Sequence, residues 1–240
     1  MPNEITNPQK DRILDKKVFP TSLSSKEIRV FWSDALKEKA LFSARTTEKN
    51  YLDRVKKLLA DYQTGIGETA TGEPISQGTG RTRMLMREKL EELGLIERED
   101  GSPNGNVVEK MTNLGSAMRL NLIIKTNSDI AHSYQQKLTA QDPLQKIIRP
   151  YFELVRNETR KQPRNWWDRW LDCANAVNWD GVVKGTTRMI AKVDSPIWSE
   201  LGHRYMDSIG TDVPPFCFGS GMGWKSVRAK EIEDLGLEVG

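Results

Sequence analysis

Histidine and cysteine are both scarce in this chain, with two of each in 240 residues. Two thiols, Cys173 and Cys217, cannot build a disulfide framework or a four-cysteine zinc site, and a reducing interior suits them. No apolar run approaches the roughly 18 residues that a membrane helix needs, which argues against a membrane-spanning chain. Met1 to Lys17 is polar and charged, so a secretory signal is not expected there. An excess of one charge is also missing. Lys plus Arg number 36 and Asp plus Glu 33, a formal net charge of +3. A nucleic-acid binder of this size usually carries a stronger basic excess, so charge leaves only weak phosphate contact open. The length itself is enough to bury a sizeable core without metals or disulfides.

The pattern along the chain is mostly helical. Residues 1–23 carry Pro2, Pro8 and Pro20 with little apolar periodicity, which predicts a flexible or partner-docked arm. Ser24 or Ser25 can cap a first helix, in which Ile28, Phe31, Trp32, Ala35 and Leu36 follow the helical period. A second helix follows Thr46 and Thr47, with Tyr51, Leu52, Val55, Leu58, Leu59 and Tyr62 as its apolar stripe and Gly65 as its stop. The glycine-rich segment 64–80 reads as a long loop. A third helix is expected from about Arg81 to Leu93, with Gly94 as its cap. The longest candidate runs over 110–138, with Thr112 as its cap. After Pro150 the character changes. Residues 151–156 fit a strand or a helix end, Pro163 opens a Trp-rich helix, and 186–193 alternate like a strand. Residues 207–224 are rich in glycine and proline and are expected to be irregular.

The fold expected is mainly α (α+β). An extended helical N-terminal part with a long central helix precedes a smaller Trp-rich part with short strands and irregular loops. The divisions expected are an arm over 1–23, a helical domain over 24–142 and a Trp/Arg-rich α+β region over 143–240.

Few motifs point to catalysis. Cys217 and His203 are the one thiol–imidazole pair close in sequence, but nothing around Cys217 (PPFCFGS) resembles a nucleophile signature. A partly buried structural cysteine is the expectation. The run Gly219-Ser220-Gly221-Met222-Gly223 lacks the Gly-Lys-Ser/Thr ending of a phosphate loop, so a turn that lets Trp224 tuck into the fold is expected instead. Carboxylate pairs such as Glu153 with Glu158, Asp168 with Asp172 and Asp180 with Asp194 sit in no recognisable hydrolase frame. No catalytic, cofactor or metal residues are assigned.

Six of the seven tryptophans lie between 166 and 224, interleaved with Arg156, Arg160, Arg164, Arg169 and Arg188. Three readings fit this composition. It can be a small Trp-cored subdomain with arginines stacked on it, a protein interface, or a base-stacking platform for single-stranded nucleic acid. As an interface, its candidate anchors are Trp166, Trp167, Arg169, Trp170, Trp198 and Trp224.

Several segments in order resemble one family. The central one is Arg119-Leu120-Asn121-Leu122-Ile123-Ile124-Lys125-Thr126-Asn127, followed by Ala131 and Tyr134. The segment Phe42-Ser43-Ala44-Arg45 with Tyr51 to Leu59 precedes it. Tyr151 to Arg160, then Asp194-Ser195-Pro196-Ile197-Trp198, then Pro214-Pro215 follow. Together they are similar to the minor head, or head-morphogenesis, proteins of tailed bacteriophages, the group that includes the F protein of phage Mu. The likeness spans roughly residues 18–236 and looks closest to a divergent prophage branch ending in Gly-Ser-Gly-Met-Gly-Trp. One departure stands out. Many members carry Cys-x-Cys after the Pro-Pro turn, whereas this chain has Cys217 with Gly219 in the second place.

The resemblance implies a non-enzymatic component of the virion head, present in the host cytoplasm during assembly. Its implied partners are the portal protein and the major capsid protein, with a homo-oligomer possible, no cofactor and no membrane. The motif residues Arg119, Leu120, Ile123, Thr126, Asn127, Ala131 and Tyr134 are expected to be structural, since an asparagine in mid-helix needs hydrogen-bond partners. The alternative is a DNA-binding accessory protein of the head, acting in packaging or ejection through weak phosphate contact.

Overall fold

The computed structural model describes residues 7–69, 71–179, 186–234 and 236. Ten helices and seven short strands among them make the fold mainly α (α+β), as expected. The chain divides into two compact units. The first is Met1–Phe31 with Lys39–Ala131, and the second is Trp32–Glu38 with His132–Gly240. The division thus falls at 131/132 rather than 142/143, and a short piece near residue 35 joins the later unit. Gly210 explains that piece: a Cβ there would meet the Asp34 carbonyl at 3.2 Å and the Lys37 Cβ at 3.2 Å.

The first unit opens with α1 (Pro8–Leu14) and β1 (Lys17–Val18). The expected arm is therefore folded from residue 7 onward, and residues 1–6 lie outside the described residues. The Asn7 side chain caps α1 by accepting from the Gln9 and Lys10 amides, Pro8 fits the first turn, and Ile13 is fully buried. One buried isoleucine leaves no periodic signal, which is why the sequence reads as a tail.

The first helix expected after Ser24 or Ser25 is two helices, α2 (Ser25–Phe31) and α3 (Asp34–Lys39). Ser24 and Glu27 bond each other's backbone amides in a capping box, and Ser33 restarts the chain by accepting from the Leu36 amide. β2 (Ala40–Leu41) pairs in parallel with β1. Next comes α4 (Lys49–Thr64), with Tyr51, Leu52, Val55, Leu58 and Leu59 buried and Gly65 ending it at φ +69°. The expected loop over 64–80 holds a small antiparallel hairpin, β3 (Ile66–Glu68) with β4 (Pro74–Ser76).

α5 (Thr79–Glu92) follows, with Met86 and Leu90 buried and Gly94 at φ +65° after it. α6 (Ala117–Ala140) starts later than expected. Ser116, not Thr112, provides the cap, its hydroxyl accepting from the Arg119 amide. The core of this unit gathers Ile13, Leu41, the α4 stripe, Met86, Leu90, Leu120, Ile124 and Ala131.

The second unit contains the end of α6, then α7 (Pro143–Ile148), β5 (Tyr151–Arg156), α8 (Trp166–Ala176), β6 (Ile190–Lys192), α9 (Ile197–His203), β7 (Met222–Val227) and α10 (Ala229–Asp234). β5 is the middle of a three-stranded antiparallel sheet in the order β6-β5-β7. Alternation along β5 buries Phe152 and Leu154 on one face. The first half of β7 falls in the stretch 207–224 expected to be irregular, because its glycines mask its strand pattern. Ser226, a residue type that often caps helices, lies within β7 instead, and α10 follows at Ala229.

Candidate functional site

The motif helix comes first. Leu120, Ile124 and Ala131 lie on one face of α6 in the core of the first unit, with Ile123 packed against it and Thr126 also buried. Asn127 sits on the same stripe between Ile124 and Ala131. Its amide nitrogen donates to the Ile123 carbonyl at 2.9 Å, and its amide oxygen accepts from the buried Lys16 ammonium at 3.3 Å. Asn127 therefore ties the N-terminal segment to α6, which is the structural role its mid-helix position implies. Tyr134 is half-buried and lies past the division, in the second unit.

Arg119 is 8% exposed and is held by carbonyl and hydroxyl oxygens rather than by a carboxylate. One guanidinium nitrogen donates to the Met111 and Thr112 carbonyls at 3.3 and 3.4 Å. The other donates to the Ser43 hydroxyl at 2.7 Å and to the Ala44 carbonyl. A single fork thus joins the start of α6 to two separate loops. Burial disfavours its charged form, while the buried Tyr51 phenol beside it acts in the opposite sense. Phe42 to Arg45 and Arg119 to Asn127, far apart in sequence, meet at this fork.

The tryptophans form the other cluster. Trp166, Trp170, Trp198 and Trp224 are between 0 and 5% exposed. Phe152 on β5 and Trp224 on β7 stack at 4.4 Å, a diagonal cross-strand pair. Trp198 is the hub, 5.2 Å from Trp224, 5.5 Å from Trp170 and 6.3 Å from Phe152. Its indole N–H donates to the Lys192 carbonyl at 2.8 Å. Phe216, at φ +59°, places its ring beside Trp166, Trp198 and Trp224 just after the cis Pro214-Pro215 peptide.

These four indoles are core, so the candidate partner interface built on them is corrected. Their faces are spent on one another. Trp167 and Arg169 are half-buried and remain partly accessible. Composition alone cannot separate a Trp-lined core from a Trp-lined surface, because both concentrate aromatics next to arginine.

The interleaved arginines tie this core's loops together. Arg169 lies over the Tyr205 ring at 4.3 Å and the Trp166 ring at 5.5 Å, and bonds Asp207 at 2.9 Å. Arg164 bonds the same carboxylate at 2.7 Å. Burial pushes Asp207 up, but the hydrogen bonds from Arg169 and Arg164 outweigh it and hold the carboxyl below its ordinary value. Arg156 donates to the Ser220 and Arg164 carbonyls, Arg160 pairs with Glu158, and Arg188 grips Glu153 and Glu231. Each of these guanidinium groups bonds an oxygen of its own chain.

The remaining sequence candidates resolve similarly. Cys217 is fully buried, 3.4 Å from an Arg169 nitrogen, and burial pushes its thiol up to about 11. Burial likewise raises Cys173 to about 11. An activated nucleophile needs the opposite shift. His203 bonds the Ser199 carbonyl instead of a thiol. Around Gly219–Gly223, the Ser220 amide donates to the Cys217 carbonyl, the Met222 amide to the Ser220 hydroxyl, and the Gly221 carbonyl accepts from the Asn157 amide. This segment braces the 157–160 turn rather than offering its amides as a phosphate cradle.

Glu153, Glu158, Asp172 and Asp194 each face a cation, and Asp180 lies outside the described residues. Among the described residues, no cluster of three or more His, Cys, Asp or Glu is placed to hold a metal, and no helix is long and apolar enough to cross a membrane. Comparison with protein-family models, with curated proteins and with solved structures finds no match to this chain.

Proposed function

We propose that this chain is a structural protein of a tailed-bacteriophage head. It acts without catalysis in head morphogenesis at or near the portal vertex, with the portal and major capsid proteins as partners. It works in the host cytoplasm during assembly and in the head of the virion thereafter. One observation carries the reading: the segments on which the family resemblance rests are the segments the fold uses as junctions. Arg119 and Asn127 tie distant parts of the first unit to α6. Phe152, Trp198 and the residue after Pro214-Pro215 meet in the aromatic core of the second.

Residues spent on such junctions give each unit a fixed shape. An assembly protein needs that property, because its work is to present a surface to neighbours. The test is sedimentation of lysates making the source phage, with an antibody against the chain. The chain should travel with precursor heads after nuclease and high-salt washing. A chain that stays at the top of the gradient would remove the reading. One released by nuclease alone would favour the DNA-binding alternative.

A further inference from the structure

Between α5 and α6 the chain doubles back in a small hairpin. The Glu99 amide donates to the Asn106 carbonyl at 3.0 Å, and the Val108 amide donates to the Glu97 carbonyl at 3.0 Å. Residues 100–105 form its tip. Two couples in this tip place a carboxyl or a carboxamide directly before a glycine, Asp100-Gly101 and Asn104-Gly105. In such a couple the glycine nitrogen can reach the preceding side-chain carbon, because no Cβ crowds the approach. Asn104 is the only asparagine of the sequence that glycine follows.

The structure separates the two couples. Asp100 is held in place. Its carboxylate accepts from the Ser102 amide at 3.0 Å and from the Ser102 hydroxyl at 2.9 Å, and these bonds keep the carboxyl below its ordinary value. An ionised carboxylate is a poor electrophile. Asn104 is exposed, and its side-chain amide has no hydrogen-bond partner among the described residues. The glycine after it is fitted to the hairpin. A Cβ at Gly105 would collide with the Asp100 carboxylate, which would have to leave Ser102. The Arg98 guanidinium, paired with Glu91, donates to the Gly105 carbonyl and leaves its nitrogen alone. That nitrogen donates to the Ser102 carbonyl at 3.2 Å, a long bond in an exposed turn. Among the described residues it has no other bond to give up.

We propose that Asn104 is a self-modification site, at which the chain converts its own amide into a carboxylate. Hydroxide takes the Gly105 amide proton, and the nitrogen attacks Cγ of Asn104. The N–Cγ bond forms, the Cγ–Nδ2 bond breaks, and ammonia leaves with a proton from water. Water then opens the five-membered imide at either carbonyl and leaves aspartate or isoaspartate. Nothing is oxidised or reduced, so water and hydroxide are the only reactants. The product adds a negative charge to a tip that already carries Glu99 and Asp100. Isoaspartate also lengthens the backbone by one carbon inside a closed hairpin. The proposal is independent of the reading of the chain as a head protein.

The experiment incubates the purified full chain in warm, mildly alkaline buffer, both folded and in guanidinium chloride. Mass spectrometry follows the peptide that carries residue 104. Giving up one neutral hydrogen bond slows the attack by no more than about tenfold. The folded chain should therefore convert Asn104 within about tenfold of the unfolded rate, with isoaspartate among the products. Asp100 should stay unchanged in the folded chain, and Asn104→Gln, checked for folding by circular dichroism, should abolish the conversion. The wild-type comparison decides by itself if that variant fails to fold. An Asn104 peptide that stays intact in the folded chain, or that converts more than about tenfold slower than in denaturant, would overturn the proposal. Conversion that persists in folded Asn104→Gln would overturn it as well.

Discussion

The Arg119 fork gives the sharpest test of how the first unit is held together. It makes four hydrogen bonds, two through one nitrogen at 3.3 and 3.4 Å and two through the other, one of them at 2.7 Å. Short bonds to a charged group contribute about 1.5–3 kcal/mol each, and the two longer ones about 0.5 each. Removing the buried charge relieves a desolvation penalty of a few kcal/mol, so Arg119→Met should cost about 2–4 kcal/mol net. Arg119→Lys separates the explanations. It keeps the charge but has one nitrogen, so it can serve only one of the two loops. Lysine should therefore lose at least as much stability as methionine.

Urea titration followed by far-UV circular dichroism and by tryptophan emission reads the effect. All seven tryptophans fall in the second unit, so emission reports that unit. A loss of 3 kcal/mol lowers a urea midpoint by about 1.5 M. The shift should appear in the dichroism, with emission lagging behind it. If both variants unfold within about 0.3 M of wild type, the fork does not hold the unit together and the argument fails.

Other substitutions probe the second unit. Trp170→Ala should cost about 3–5 kcal/mol through the cavity it leaves, and its melting temperature should fall accordingly. Trp198→Phe should cost about 1 kcal/mol more than Trp224→Phe, because only Trp198 donates its indole N–H to a carbonyl, at 2.8 Å; equal denaturant midpoints would contradict this. Native Cys173 and Cys217, with thiols near 11, should resist alkylation at pH 8, where about one in a thousand is thiolate, and should label fully in urea; fast native labelling would refute their burial. The folded-state pKa of Asp207 lies below its unfolded value. Its contribution is full above about pH 4 and disappears as pH falls through the folded value, so Asp207→Asn should flatten the acid limb of stability against pH.

Much of the fold is legible where apolar residues recur at helical spacing. The α4 stripe and its Gly65 stop can be read directly, as can α5 with Gly94, because burial and capping leave a repeated signal. What is lost in the sequence rests on single contacts. Ile13 buries α1 alone, Ser33 interrupts a helix whose apolar period continues, and β7 is hidden among glycines that let it approach the 157–160 turn. A Cβ at its Gly223, for instance, would come within 2.2 Å of the Asn157 side-chain nitrogen, which would have to move away. The candidate site divides in the same way. Asn127 declares itself as a polar residue in an apolar helix stripe. The tryptophans mislead, since density of Trp and Arg marks surfaces and cores alike.

If the chain is the head protein proposed above, quantitative mass spectrometry of purified DNA-filled particles and empty precursor heads of the phage that would encode it tests the central claim most directly. A minor head protein should be present at a few to a few tens of copies per particle and should cross-link to the portal. Absence of the chain from both kinds of particle would contradict the account.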